Sequence, residues 1–301
     1  MQEEAMTTPE AESIANMLRA GRRHMPASLA GLREWVDKSL GHMPMEATVQ
    51  RRDVGVAGRP AAWFTPPSPR EDTAILYLHG GGYIMGSLES HAALTSHLAA
   101  AADIPVLSLA YRLAPEHPFP AQLEDAVAAY RWLLDAGYAP EKLAIAGDSA
   151  GGGLTLTTLC DVRDAGLPLP AAAAVLSPWT DLEGLGESAR ERAPRDPMLR
   201  PEDQPAFQRL FLGGHDPRDP RAAPLYADLT GLPPLLVQVG GNEILYDDAT
   251  RIADRAREAG VDVTLDIWES MFHVWHLFAP VMEEGREGIR QVAAFLGERI
   301  H

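Results

Sequence analysis

Gly147-Asp148-Ser149-Ala150-Gly151-Gly152-Gly153 decides how this chain folds. The residues before it, Leu143-Ala144-Ile145-Ala146, form a short apolar run of the kind that makes a fully buried strand. Those after it, Leu154 to Asp164, continue as a helix until Gly166 and Pro168 stop it. A strand that becomes a helix within a few residues crowds its own backbone, so its flanks must be very small. Gly147 and Gly151 meet that need. A Gly-x-Ser-x-Gly turn of this kind lifts a hydroxyl above a sheet and sets it at a helix N-terminus, where partial positive charge favours a developing oxyanion. Ser149 is therefore a candidate nucleophile. A glycine-rich turn with a capping serine would fit the same five residues, so the surrounding sequence has to decide.

Upstream, the buried strand Ala74-Ile75-Leu76-Tyr77-Leu78 ends in His79-Gly80-Gly81-Gly82. Consecutive glycines let a backbone approach a ligand closely and present its N–H groups unobstructed. Beside a strand-to-helix serine, such a stretch completes the oxyanion hole that the residue after the nucleophile begins. The two signals together argue against coincidence.

Further out, strand and helix alternate. Helices are expected over 90–102, 122–136, 247–259 and 280–299, and strands over 105–110, 172–176, 235–239 and 263–268. Alternation implies an α/β fold with a mainly parallel sheet and helices on both faces. Ahead of it come strand-like pieces at 48–56 and 61–65, separated by a turn at Gly58-Arg59-Pro60. Two amphipathic helices within 9–40 break near Pro26. Residues 181–229 interrupt the alternation and are too long for an ordinary connection. Ligands in open sheets sit beyond the carboxyl ends of the strands. An insertion there would cover that edge, and the N-terminal helices could join it. The expected organisation is a catalytic α/β body, 48–180 and 230–301, with cap helices in 1–47 and a cap insertion in 181–229.

A serine nucleophile needs a base, and the base needs a carboxylate to hold its tautomer. In this fold type the chain order is Ser, acid, His. After the strand at 235–239 comes Gly240-Gly241-Asn242-Glu243-Ile244-Leu245-Tyr246-Asp247-Asp248. Glu243 lies in the loop, whereas Asp247 and Asp248 fit the first turn of the next helix, where negative charge complements the dipole. Glu243 is favoured as the acid over Asp247. After the last strand comes Glu269-Ser270-Met271-Phe272-His273-Val274-Trp275-His276, and His273, nearer the strand end, is favoured as the base over His276. The HxxH pair lacks the HExxH context or cysteine pair of a zinc site, so no metal is expected.

With a formal net charge of −16, the chain is ill suited to phosphate backbones or anionic lipid, so neither nucleic acid nor membrane is an expected partner. Cys160 is the single cysteine, which rules out an intramolecular disulfide and suits a reducing compartment. It is expected buried and inert. The start, Met1-Gln2-Glu3-Glu4, lacks the pattern of a secretory signal, and no apolar run approaches the ~20 residues of a membrane span. The expected location is cytoplasmic.

These residues resemble those of the bacterial hormone-sensitive-lipase family of α/β-hydrolase carboxylesterases. The likeness rests on His79-Gly80-Gly81-Gly82-Tyr83, on Tyr111 to Ala121 (YRLAPEHPFPA), on Gly147-Asp148-Ser149-Ala150-Gly151-Gly152, and on Ser177-Pro178-Trp179-Thr180-Asp181. GDSAG marks one of the family's subgroups. The resemblance implies an eight-stranded, mostly parallel sheet and a cap built from the N-terminal helices and an insertion after the sixth strand. It implies Ser149 as nucleophile, His273 as base, and Gly81, Gly82 and Ala150 as oxyanion donors. Glu243 stands where the family more often has aspartate. A serine esterase acting on small-molecule esters of short to medium acyl chain, without cofactor, is the expectation. The other class is a non-catalytic small-molecule receptor on the same scaffold, against which the intact Ser, His and acid set speaks. Arg112, Glu116 and His117 are expected to hold a loop beneath the elbow. Relatives often pair through the last strand and helix, which leaves a homodimer open.

Overall fold

The computed structural model describes residues 8–300. The acidic start Met1 to Glu4 lies outside them. Two helices lead, α1 (Pro9–Arg22) and α2 (Leu29–Gly41), capped by the side chains of Thr8 and Ser28. The antiparallel strands β1 (Gln50–Val56) and β2 (Arg59–Thr65) follow. Their turn is Ala57-Gly58, both at positive φ, instead of the expected Gly58-Arg59-Pro60. A two-residue turn of that hand matches the twist of the strands, so β2 starts earlier than its apolar pattern indicated.

The body then alternates: β3 (Ala74–Leu78), α3 (Ala92–Ala102), β4 (Val106–Leu109), α4 (Ala121–Asp135), β5 (Leu143–Asp148), α5 (Ala150–Asp164) and β6 (Ala172–Leu176). A long segment carries α6 (Ser188–Glu191) and α7 (Gln204–Leu212), and the chain closes with β7 (Leu235–Gly240), α8 (Tyr246–Glu258), β8 (Val263–Trp268) and α9 (Glu283–Gly297). The eight strands form one sheet in the order β1-β2-β4-β3-β5-β6-β7-β8, parallel from β4 to β8. α9 begins three residues later than expected because Met282 is extended and only Glu283 enters the helix; a separate 3₁₀ turn at 275–278 precedes it.

Side chains alternate across the sheet. Leu76, Leu78 and Ile145 face a core shared with α4, α5 and α8, while Ile75, Tyr77 and Ala146 face one shared with α3 and α9. The chain order reverses between β3 and β5, which is where a ligand crevice opens in such a sheet. Leu78 pairs in register with Gly147, so the loops leaving the two strands emerge side by side.

Their approach is close. A Cβ on Gly151 would run into the carbonyl oxygens of Leu78 and His79. Gly151→Ala is expected to destabilise the fold by about 3 kcal/mol, seen as a lowered urea midpoint with an unchanged slope.

Candidate active site

Ser149 sits between β5 and α5 at φ 52, ψ −121. For a residue with a Cβ this conformation costs ~1–3 kcal/mol, and it persists only where its surroundings impose it. Here the Ser149 N–H donates to Leu176 O at 2.8 Å, and Ser149 O accepts from Trp179 N at 2.9 Å and Gly153 N at 3.1 Å. The half-buried serine lines a cavity of about 510 Å³, which it shares with Gly81, Gly82 and His273.

His273 follows β8, and its Nδ1 lies 2.7 Å from Glu243 Oε2 in the loop after β7. A carboxylate accepts only, so the proton rests on Nδ1 and the Nε2 lone pair is left free. The other carboxylate oxygen of Glu243 accepts from Gly240 N at 2.7 Å and from Ser177 Oγ at 2.8 Å. Ser177 Oγ in turn accepts from Val274 N at 3.1 Å. One hydroxyl thus ties the Glu243 loop to the His273 loop. Burial alone would pull the His273 pKa down, but the hydrogen bond and charge of Glu243, aided by Asp196 and Asp148, leave it raised above its ordinary value.

The glycine stretch after β3 is held by Asp148, the residue before the serine. Asp148 Oδ1 accepts from Gly80 N at 3.0 Å and from Tyr77 Oη at 2.8 Å, while His91 Nε2 stands 3.3 Å from Oδ2. Burial works to raise this carboxyl, yet His91 and Tyr77 keep it below the ordinary range. Gly81 and Gly82 both have positive φ. A Cβ on Gly81 would strike Met85 O, and one on Gly82 would come within 2.8 Å of the Phe207 ring on α7.

A serine at a strained strand-to-helix turn, a carboxylate-bound histidine and a glycine loop share one cavity at the sheet's switch point. Residues 75–277 match the model of a family described as having the alpha/beta hydrolase fold. An acetyl-hydrolase of Streptomyces hygroscopicus is 49% identical over 244 residues, covering 81% of this chain and 82% of its own. A putative acetyl-hydrolase, LipR, of Mycobacterium tuberculosis is 36% identical across 94% of this chain and 88% of its own. Among solved structures, an esterase of the bacterial hormone-sensitive lipase family superposes with TM-score 0.96 at 48% identity, covering 98% of this chain and 100% of the other. The chain belongs to the bacterial hormone-sensitive-lipase family of α/β-hydrolases. It is a carboxylic ester hydrolase.

Asp247 and His276, the less favoured members of the two pairs, have other partners in the esterase. Asp247 accepts from Ser188 N at 2.9 Å and has no bond to His273, and Asp248 accepts from Thr180 N and Asp181 N at 2.8 Å each. Both lie in the first turn of α8, as expected, but neither caps it, since each bonds the backbone of the segment after β6. His276 is fully buried, with Nε2 2.9 Å from Gln238 Oε1, and burial lowers its pKa to about 3. It does not line the cavity.

Met17, Leu18 and Trp35 of the N-terminal helices and Met198 and Phe207 of the 181–229 segment line the cavity. Leu210 and Phe211 do not, and Phe211 instead stacks on Tyr83 with ring centroids 3.7 Å apart. The Tyr111 to Ala121 stretch is less a prop beneath the elbow than a clasp for both these pieces. Arg33 of α2 grips Glu116 at 2.7 Å and donates to the carbonyls of Ile84 and Ala114, while Phe119 N donates to Phe211 O. Arg112 bonds Asp125 instead. Cys160 is buried and its thiol is pushed up to about 12 by burial. No helix among the described residues is long and apolar enough to cross a membrane.

Sequence reasoning passed over Ser177 and Asp196 as individual residues. Ser177 lies directly after β6 at a positive φ of 47, and nothing in the sequence marks that conformation or its contacts. In a histidine-detected NMR titration, His273 should titrate above its ordinary ~6.5, and Glu243→Gln should lower that midpoint.

Proposed function

We propose that the esterase works by acyl transfer through Ser149, His273 and Glu243. His273 Nε2 takes the Ser149 proton as Oγ attacks the ester carbonyl carbon, forming a tetrahedral oxyanion. The N–H groups of Gly81, Gly82 and Ala150 receive that charge, each supplying ~3 kcal/mol of transition-state stabilisation. The intermediate collapses, the C–O bond to the alcohol breaks, and His273 returns the proton to the leaving alkoxide. Water then attacks the acyl-enzyme, giving its proton to His273, and the acid departs as Ser149 recovers it. Glu243 stabilises the imidazolium in both halves.

The observation that carries this reading is the 2.7 Å bond from the buried Glu243 to His273, which lines the same cavity as Ser149. Glutamate in the acid position does not weaken it, because Glu243 spends its second oxygen on Gly240 N and Ser177 Oγ. A hydrogen-bonded acid and base beside the serine also favour catalysis over the receptor reading.

The substrates we propose are short- to medium-chain acyl esters. A cavity of about 510 Å³ walled by Met17, Leu18, Met198 and Phe207 suits a modest apolar acyl group. The acetyl-hydrolase names of two relatives point the same way.

Two measurements test these statements. Folded Ser149→Ala should lose activity by ~10⁶-fold and take up no label from an activated phosphonate. Residual turnover near wild type would sink the nucleophile assignment. In a p-nitrophenyl series from acetate to palmitate, kcat/KM should peak at short or medium chains, and a steady rise to palmitate would refute the limited pocket.

A further inference from the structure

The loop that carries Glu243 is held from two directions. From the sheet side, Gly241 N donates to Trp268 O and Asn242 N to Met271 O, both at 2.8 Å. From the other side every bond comes from the segment between β6 and β7. Arg192 donates to Gly241 O, Ser188 Oγ donates to Ile244 O at 2.7 Å, and Asp247 N donates to Ser188 Oγ at 3.0 Å. The Ile244 N–H, immediately after the acid, donates to Asp196 Oδ2 at 2.9 Å.

Asp196 is 2% exposed, an expensive place for a carboxylate without partners. Its other oxygen accepts from Met198 N and Leu199 N, both at 2.8 Å, which fixes the local turn. Its backbone carbonyl is gripped by Arg22 of α1 at 2.8 Å, and that of Arg195 by Arg19 at 3.2 Å. An unbroken run of polar contacts therefore leads from α1 through Asp196 to the residue beside Glu243.

We propose that Asp196, borne by the β6–β7 segment and seated by α1, is a positioning residue that sets Glu243 against His273, so the acid is in register only when that segment is docked. The inference rests on Glu243 and His273 acting as acid and base. Asp196 does not touch the reacting atoms. It acts through the Ile244 N–H and through its charge, which His273 feels together with Glu243, Asp148 and the neighbouring His276.

Asp196→Asn separates this role from simple packing. The amide oxygen still serves Met198 N and Leu199 N, while an NH₂ group now faces the Ile244 N–H and the charge is gone. The measurements are kcat, KM and the acid limb of kcat/KM on p-nitrophenyl butyrate, with circular dichroism to establish folding. The expected result is a kcat lowered roughly ten- to a hundredfold with KM nearly unchanged, and an acid limb shifted down by about half a unit. A merely structural role would leave that limb in place. Ser188→Ala removes the Ile244 O and Asp247 N bonds with no change of charge, and should lower kcat while leaving the limb where it was.

A folded Asp196→Asn with wild-type kcat and pH profile overturns the proposal. If that variant does not fold, Ser188→Ala decides, with unchanged kcat again overturning it. Glu243→Ala is run alongside. Full activity there would remove the acid assignment itself, whereas an impaired Glu243→Ala beside a normal Asp196→Asn would remove only the role of Asp196.

Discussion

The contact of Gly151 with the carbonyls of Leu78 and His79 is the constraint on which the rest of this molecule depends. Only a residue without a Cβ lets α5 start so close to the end of β3. That closeness brings the serine turn after β5 against the glycine loop after β3. Asp148 then spans the two, its side chain accepting from Gly80 N while its backbone leads directly into Ser149. Ser149 and the N–H-bearing loop are thus parts of one hydrogen-bonded corner, and the positive φ of Ser149 is held by that corner and by Leu176 O.

Around it, the esterase uses buried carboxylates as anchors for loops. Asp148, Asp196, Glu243 and Asp248 are each nearly inaccessible; Asp148, Asp196 and Asp248 each accept a backbone N–H from a different stretch of chain, and Glu243 bonds the side chains of Ser177 and His273. A buried carboxylate without such donors would be costly, so each marks a place where two loops must meet. The pairings differ in consequence. Burial and the neighbouring Asp181 raise Asp248 to about 7, whereas His91 and Tyr77 hold Asp148 low. Glu243 pairs with the Nδ1 of His273 at 2.7 Å, closer than His91 stands to Asp148.

The segment after β6 and the two leading helices show the same economy. Arg33, Arg22 and Arg19 reach from α1 and α2 to carbonyls of the body and of that segment, and Phe211 stacks on Tyr83. The cavity walls built by Met17, Leu18 and Phe207 are therefore fastened by polar contacts at their edges, with apolar side chains turned to the space above Ser149.

Sequence by itself determined what depends on neighbours along the chain. The glycines around Ser149 announce a strand-to-helix turn, the apolar runs announce buried strands, and alternation announces a parallel sheet. Chain order with loop position was enough to favour Glu243 and His273 over Asp247 and His276. Edges resisted, as at the start of α9, expected at 280 and found at Glu283, and at the tight Ala57-Gly58 turn. Tertiary structure alone decided the rest. That Ser177 joins Glu243 to Val274, that Asp196 reaches Ile244, and that Glu116 holds α2 all join residues far apart in the chain. A polar residue in a loop looks the same in sequence whether it faces water or receives a distant N–H, and only packing removes the water that makes the difference.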